Sequence, residues 1–507
     1  MVADRSEADL AAARPRDSTA NGHRERGETV ADGNGAHHGS PTARGENGRK
    51  QQSGSSAEAP SRGGAETVPG DGGSGDAVVD SHAAASDTPA TGDRGGRRVR
   101  ATSARTVSGG GSSVRRRPKD RKVQIIRAAA RAFSERGYYP VGVDEIAAEV
   151  GISGPALYRH FRNKYALLVA AAEEGARHLA EVAHNADDPT LDPDPRLAAL
   201  IKGVAEYTIE IRREAGLYRW ERRYLERADR VRIRKIYDDL NAAFAAPIAQ
   251  VRPEAAEADV ALRAAGVLSV IASISAHRTT LSSAKLLPLQ HDMASAVVHV
   301  TLPPAPRGPE PGAPRRGIPV TSKREQLLTE AIKIFGRQGY HEASIEEIGA
   351  AVGINASSVY RYFPSKADLL AAAFHRTGDR LAIAITESLA EATSRADAAR
   401  RIAERYAKLS FATPEIMPVY YAEFTNLPQA EQHKLRAIQR QNILEWANLL
   451  DGDPVESRFR VHAAIGQVID LGRLIRFDTR PEHLDRVIAL MLAVLFGNGE
   501  SAAGVQD

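Results

Sequence analysis

The sequence EIAAEVGISGPALYRHFRNK at 145–164 returns 202 residues later as EIGAAVGINASSVYRYFPSK at 347–366. At that one offset, Lys122–Ala170 and Arg324–Ala372 align without a gap, and 18 of the 49 positions are identical, Phe133/Phe335, Gly137/Gly339, Tyr158/Tyr360 and Lys164/Lys366 among them. A repeat of this length means that the chain is built from two like modules. One core does not extend over 507 residues, and domain sizes of roughly 100 to 200 residues agree with two folded units plus tails.

Charge is distributed unevenly between these parts. Residues 1–96 hold 10 Lys/Arg against 15 Asp/Glu, residues 97–122 hold 10 against 1, and the remainder of the chain balances at 48 of each. The positive excess therefore sits in one stripe ahead of the first repeat, the signature of a polyanionic partner. With no cysteine, disulfides, thiolate nucleophiles and Cys-ligated zinc are excluded, in keeping with a reducing compartment. The longest apolar run, Val487–Phe496, is about half of the roughly 20 residues a membrane helix needs. The expectation is a soluble protein of the cytoplasm, associated with the nucleoid and not with a membrane.

Residues 1–114 lack any aromatic side chain and any apolar period, so they cannot bury enough surface to offset ordering entropy and are expected to form a disordered tail with a basic end. From Arg121 the pattern changes. Ile126, Ala129, Ala130 and Phe133 recur at helical spacing and Gly137 follows as a stop. Two short helical patches come next, 143–150 and 154–160, parted by Gly151, with Ser153 placed to cap the second. The second copy repeats the plan, with Ser344 and Glu347 in capping-box spacing, Gly353 at the turn and Asn355 as cap. Helix, glycine turn and short helix make a helix-turn-helix.

Ala-, Leu-, Glu- and Arg-rich stretches follow each unit, so the fold class is all-α. Helices are expected at 164–185, 196–213, 216–246, 254–282 and 288–301, and again at 366–393, 396–411, 415–425, 428–450, 455–475 and 481–496, with Pro247 among the punctuation marks. The stretch TLPPAPRGPEPGAPRRGIPVT at 301–321 holds seven prolines and reads as an extended spacer. The expected organisation is a tail over 1–114, a reading head over 115–168, a helical domain over 169–301, a linker over 302–321, a second head over 322–370, a second helical domain over 371–498 and a short disordered tail over 499–507.

The strings GYYPVGVDEIAAEVGISGPALYRHFRNKYALL and GYHEASIEEIGAAVGINASSVYRYFPSKADLL closely resemble the N-terminal DNA-binding domain of TetR-type transcriptional regulators, over about 50 residues per copy. The resemblance implies two such domains in tandem, each followed by a helical ligand-binding and dimerisation domain whose last two helices pair into a four-helix bundle. It also implies that Tyr158 and Tyr360, His160 and Tyr362, and Lys164 and Lys366 hold phosphates. Physically, a short recognition helix brings its first turn to the major groove. Ser153, Pro155, Ala156 and Arg159 in copy one, and Asn355, Ser357, Ser358 and Arg361 in copy two, are then the remaining candidates for DNA contact. The donors differ between copies, so the two heads are expected to prefer different half-sites. Gly142 departs from the family's Thr or Ser at the cap, where copy two has Ser344. Arg315, Arg316, Lys323 and Arg324 repeat the basic lead-in before the second head.

Two aromatic clusters are candidate pocket linings: Trp220, Arg223 and Tyr224 in copy one, and Tyr420, Tyr421 and Phe424 in copy two. The arginines around the first, from Arg212 to Arg227, suit an anionic, partly apolar effector such as an acyl thioester. Val487–Phe496 reads as a helix buried in a seam, with Val267–Ile274 as its counterpart. The favoured reading is a ligand-controlled, sequence-specific DNA-binding repressor, acting as a within-chain pseudo-dimer or as a homodimer. The alternative is an architectural DNA-binding protein without an effector. No paired carboxylates, nucleophile elbow, metal-spaced histidines or phosphate-cradling loop points to an enzyme, and no cofactor is called for.

Overall fold

The computed structural model describes residues 118–219, 223–308, 318 and 320–497, all within one compact unit, Val107–Asp507. The acidic tail, most of the basic stripe, Arg315, Arg316 and Trp220 lie outside the described residues.

The described residues are all-α. Head one is α1 (Pro118–Arg136), α2 (Val143–Glu149) and α3 (Gly154–Tyr158), and body one is α4 (Lys164–Ala186), α5 (Pro193–Glu210), α6 (Arg227–Val251), α7 (Glu257–Ala272) and α8 (Ser283–His299). Head two is α9 (Lys323–Gln338), α10 (Ile345–Ala351) and α11 (Ala356–Tyr360). Body two is α12 (Lys366–Glu391), α13 (Arg395–Ala412), α14 (Ile416–Glu423), α15 (Gln429–Ala447), α16 (Pro454–Leu474) and α17 (Pro481–Phe496).

Each head closes over its own small core. In head one, Ile125, Ala129 and Phe133 of α1 meet Ile146, Leu157, Leu167 and Leu168; in head two, Leu327, Ala331 and Phe335 meet Ile348, Val359, Leu369 and Leu370. The spacing puts these side chains on one stripe of the long helix, which the two short helices then cover. Because α2, α3, α10 and α11 are too short to be stable alone, this burial is what holds them.

The two bodies share one continuous apolar core, running from Leu200 and Phe244 through Val267, Met293, Phe459 and Met491 to Trp446. Its centre is a four-helix seam in which α16 packs on α7 and α17, and α8 packs on α7 and α17. Gly266 permits the close approach: a Cβ there would lie 2.8 Å from Val297 Cγ1 and 3.1 Å from Gln467 Oε1. Gln467 Nε2 donates to the Gly266 carbonyl at 2.7 Å and Ser269 Oγ to Asp470 at 2.8 Å, both across the seam. Arg486 reaches Asp259, and Arg460 reaches Asp292, from one copy to the other. The run Glu257–Ala276 is apolar and long enough to cross a bilayer by composition, yet it is largely buried as the middle of this seam.

Three features depart from the sequence reading. Residues 216–246 are not one helix: a 3₁₀ turn at Ala215–Arg219 ends, and α6 starts only at Arg227. The chain breaks there because the Glu226 amide donates to the Tyr165 hydroxyl at 2.9 Å, while Arg223 reaches into the junction between copies. Pro247 does not end a helix but lies inside α6, and Pro288, expected to open a helix, lies inside α8, which starts at Ser283. Each forfeits one backbone hydrogen bond, which the burial of Phe244, Ile248, Leu286 and Leu289 outweighs. Finally, Val267–Ile274 belongs to the penultimate helical segment of copy one, so its partner by position is α16; the counterpart of Val487–Phe496 is α8.

Candidate nucleic-acid interface

Both heads present a short helix held from beneath by one buried aliphatic residue. Leu157 is 1% exposed and Val359 is 0% exposed, and Phe161 and Phe363 close the far end. Gly151 and Gly353 make the preceding turn at φ of 68° and 74°, a conformation for which side-chain-bearing residues pay. Gly154, first in α3, is also demanding: a Cβ there would sit 1.8 Å from Asp144 Oδ1.

Held this way, the helices turn matching side chains outward. Tyr158 and Tyr360 are each 50% exposed, although a tyrosine gains most by burying its ring. Ser153, Pro155, Arg159 and His160 are exposed around the first, and Asn355, Ser357, Arg361 and Tyr362 around the second, with Ala156 and Ser358 half-buried. Several of these groups also have structural duties. Ser153 Oγ accepts from the Ala156 amide at 3.4 Å, and Asn355 Oδ1 from the Ser358 amide at 2.9 Å, as N-caps. In copy two, Ser357 Oγ donates to Asn355 Oδ1 and Arg361 to Ser358 Oγ. The outward face of α11 is thus internally bonded through Asn355 and Arg361.

Lys164 and Lys366 occupy positions that resemblance assigns to phosphate. The structure places their ammonium groups on the loop after the first helix: Lys164 on the Tyr139 carbonyl at 3.1 Å, Lys366 on those of Tyr340 and Ala343 at 2.7 and 2.8 Å. Each also lies over a tyrosine ring, Tyr138 at 4.6 Å and Tyr340 at 4.5 Å, and burial lowers the pKa of both. These lysines tie the first interhelical loop to the start of α4 or α12. Two further matched pairs escaped the sequence reading. Arg121 and Lys323 donate to the carbonyls of Val150 and Val352, both at 2.6 Å, and Lys122 and Arg324 lie over Phe161 and Phe363. The basic lead-in is partly a set of staples holding the turn.

The caps of α2 and α10 divide one motif between the copies. At Gly142 the backbone amide donates to Glu145 Oε1 at 3.2 Å, whereas at Ser344 the hydroxyl accepts from the Glu347 amide at 3.0 Å and the Glu347 carboxylate is taken by Gln338.

The heads also touch each other. Tyr139 packs on His341 with ring centroids 4.4 Å apart and donates to Glu342 at 3.2 Å. Behind this contact, Glu423 on α14 is fully buried and accepts from Arg223 at 2.5 Å, from the Tyr340 amide at 3.2 Å and from Asn426 at 2.8 Å. Tyr224 approaches the same carboxylate at 3.5 Å, and burial followed by that charge pushes its hydroxyl pKa up. Arg223 and Tyr224 were expected to line a pocket; they form the junction between copies instead, because an arginine beside a buried carboxylate is held there. Phe424 packs into the core of head two against Tyr420. Tyr420 and Tyr421 do line a cavity, of ≈ 140 Å³, together with Phe374, Tyr406 and Ile443 of body two.

Comparison with known proteins matches residues 125–171 and 327–373 to the family described as bacterial regulatory proteins, tetR family. Among curated relatives, the transcriptional activator FasR of Mycolicibacterium smegmatis is 35% identical over 101 residues, 20% of this chain and 46% of FasR. The transcriptional repressor AcnR of Corynebacterium diphtheriae is 39% identical over 62 residues, 12% of this chain and 33% of AcnR. The chain thus spans less than half the length of either relative. Among solved structures, a TetR-family regulator from Bordetella parapertussis aligns at 18% identity and a TM-score of 0.32, over 35% of this chain and 95% of its own. Two matches to this family fall on the two repeats, each on a folded helix-turn-helix, so the chain carries two tetR-type helix-turn-helix domains in tandem.

Proposed function

We propose that the chain binds double-stranded DNA as a pseudo-dimer within one polypeptide, and that a small molecule bound in the helical bodies releases it. The observation that carries this reading is the pair of outward-facing surfaces around Tyr158 and Tyr360, on heads whose bodies share a single core. In this reading α3 and α11 enter successive major grooves. Pro155 and Ala156 contact bases through apolar groups, and Ser357 and Ser358 through hydroxyls. Tyr158, His160, Tyr360 and Tyr362 bond phosphates, which fixes register without reading sequence. Arg159 and Arg361 are placed for either task. Lys164 and Lys366 act mainly by shaping the loop and adding positive field.

Because the two surfaces differ in chemistry, the preferred site is non-palindromic. Release requires that the effector bind more tightly to a state in which the heads no longer match the groove spacing. The helix α14 supports this coupling, since it carries both the cavity residues Tyr420 and Tyr421 and the junction residue Glu423. The sign of control proposed is repression.

The test is selection of duplex fragments by the purified full chain, with molar mass measured on the complex. An asymmetric site bound by one chain is the expected result. A palindromic site bound by two chains overturns the pseudo-dimer, and no duplex retained even at low salt overturns DNA binding.

A further inference from the structure

A second cavity, of ≈ 330 Å³, adjoins the apolar one in body two, and Ala276 and Tyr421 line both. The two chambers have opposite chemistry. The first is walled by Leu381, Leu409, Ile438 and Ile443 with aromatic rings. The second is lined largely by copy one and holds three arginines, Arg212, Arg213 and Arg278. Arg213 is neutralised by Glu135 at 2.6 Å. Arg212 is not: it donates to the carbonyls of Ile274, His277 and Thr279, and burial, followed by the charge of nearby Arg278, lowers its pKa. No carboxylate within ion-pair distance of Arg212 or Arg278 is present among the described residues. At the boundary the imidazoles of His277, from copy one, and His462, from copy two, stack at 4.0 Å.

Two guanidinium groups in one cavity wall without a counter-anion are a cost that a bound anion would relieve. An apolar chamber opening beside them sets the rest of the ligand. We propose that these chambers form one site, shared between the copies, for an amphiphilic anion: its hydrocarbon body lies in body two, and its acidic head lies against Arg212 and Arg278 of copy one. Inside the apolar chamber the buried Tyr406 hydroxyl faces Ser410 without a hydrogen bond of normal geometry, a place for one polar substituent. The site touches the supports of both heads. Ser134 and Glu135, at the end of α1, line the anionic chamber, and Gly216 is packed so closely on Ser134 that a Cβ there would lie 2.5 Å from its Oγ. On the other side, Tyr421 lies two residues before Glu423.

This inference rests on the effector reading above but is measured without DNA, so its failure leaves the DNA-binding reading standing. The experiment is calorimetric titration of the full chain with octanoate, dodecanoate, hexadecanoate, dodecanoyl-coenzyme A and, as the uncharged control, 1-dodecanol. At least one acid or the thioester is expected to bind at least tenfold more tightly than the alcohol. Arg278→Ala, at an exposed position on the wall of the anionic chamber, should remove most of that advantage while leaving the alcohol unchanged. Gly378→Phe, on the apolar wall beside Ile438, should abolish binding of every probe, with Thr413→Trp as the second filling variant should the first not fold. Binding of the free acids identifies a carboxylate as the head, and binding of the thioester alone identifies its phosphates. Equal affinity for acid and alcohol, indifference of the acid to Arg278→Ala, binding that survives the folded filling variant, or no binding by any probe overturns the proposal.

Discussion

Arg223 of the first copy and Glu423 of the second form a buried ion pair, Nη1 to Oε1 at 2.5 Å, with side-chain exposures of 8% and 0%. The same carboxylate holds the Tyr340 amide at the base of head two, and Tyr224 beside Arg223 packs on Tyr138 and Tyr139 of head one. One acidic side chain therefore sets where each head sits relative to the other.

Removing one member of such a pair strands a buried charge, at a typical cost of about 3–5 kcal/mol. Arg223→Met is expected to destabilise by about that amount, and Arg223→Met with Glu423→Met to recover much of it. Thermal unfolding of the single and double variants checks this. A double variant no more stable than the worse single one would show that the pair's geometry, not its charge, is what the junction needs.

Tyr158→Ala and Tyr360→Ala each remove one hydroxyl that the DNA-binding reading sets on a phosphate. Hydrogen bonds to charged groups are worth about 1.5–3 kcal/mol, so operator affinity should fall roughly tenfold or more, with the salt slope little changed because the lost hydroxyl carries no charge and neutralises no phosphate. Footprinting should show protection lost from one half-site in each variant, and from different halves in the two. Uniform loss along the site would contradict heads that read separately.

In the seam, Gly266→Leu places a side chain where even a Cβ would lie 2.8 Å from Val297 Cγ1. Overpacking of this kind costs about 1–3 kcal/mol, and the melting temperature should drop accordingly. Gly175→Leu, at a helical position with open space around it, serves as the control and should change little.

Hydrogen bonds from Arg196 hold the Asp187 carboxyl below the usual aspartate range. A carboxyl depressed by folding contributes stability that is complete above its unfolded pKa, about 3.9, and lost as pH falls through the lower folded value. Asp187→Asn should therefore lower the melting temperature at pH 7 and matter progressively less below about pH 4. Melting curves of both proteins at pH 7 and pH 3 read out the difference.

The heads were legible in the sequence because their determinants are local. The spacing of Ile126, Ala129 and Phe133, the turn glycines Gly151 and Gly353 and the caps Ser153 and Asn355 act within a few residues of themselves. What escaped was set by residues far apart in the chain. Nothing near Arg223 signals Glu423, 200 residues away, so an arginine among aromatic residues read as pocket lining. Pro247 read as a break because its burial, which keeps the helix going, comes from other helices. Lys164 and Lys366 show a subtler limit. Their pattern identified the positions, while the carbonyls they bond belong to a loop whose path the sequence does not spell out.

The shared core of α7, α8, α16 and α17 has a consequence for abundance. A two-chain regulator falls apart when its concentration drops below the dissociation constant of its interface, but here the partner is tethered, and its local concentration does not depend on how many copies a cell makes. If the proposed DNA binding holds, a handful of molecules would remain fully assembled, so scarcity would lower the occupancy of the site without ever producing half a reader.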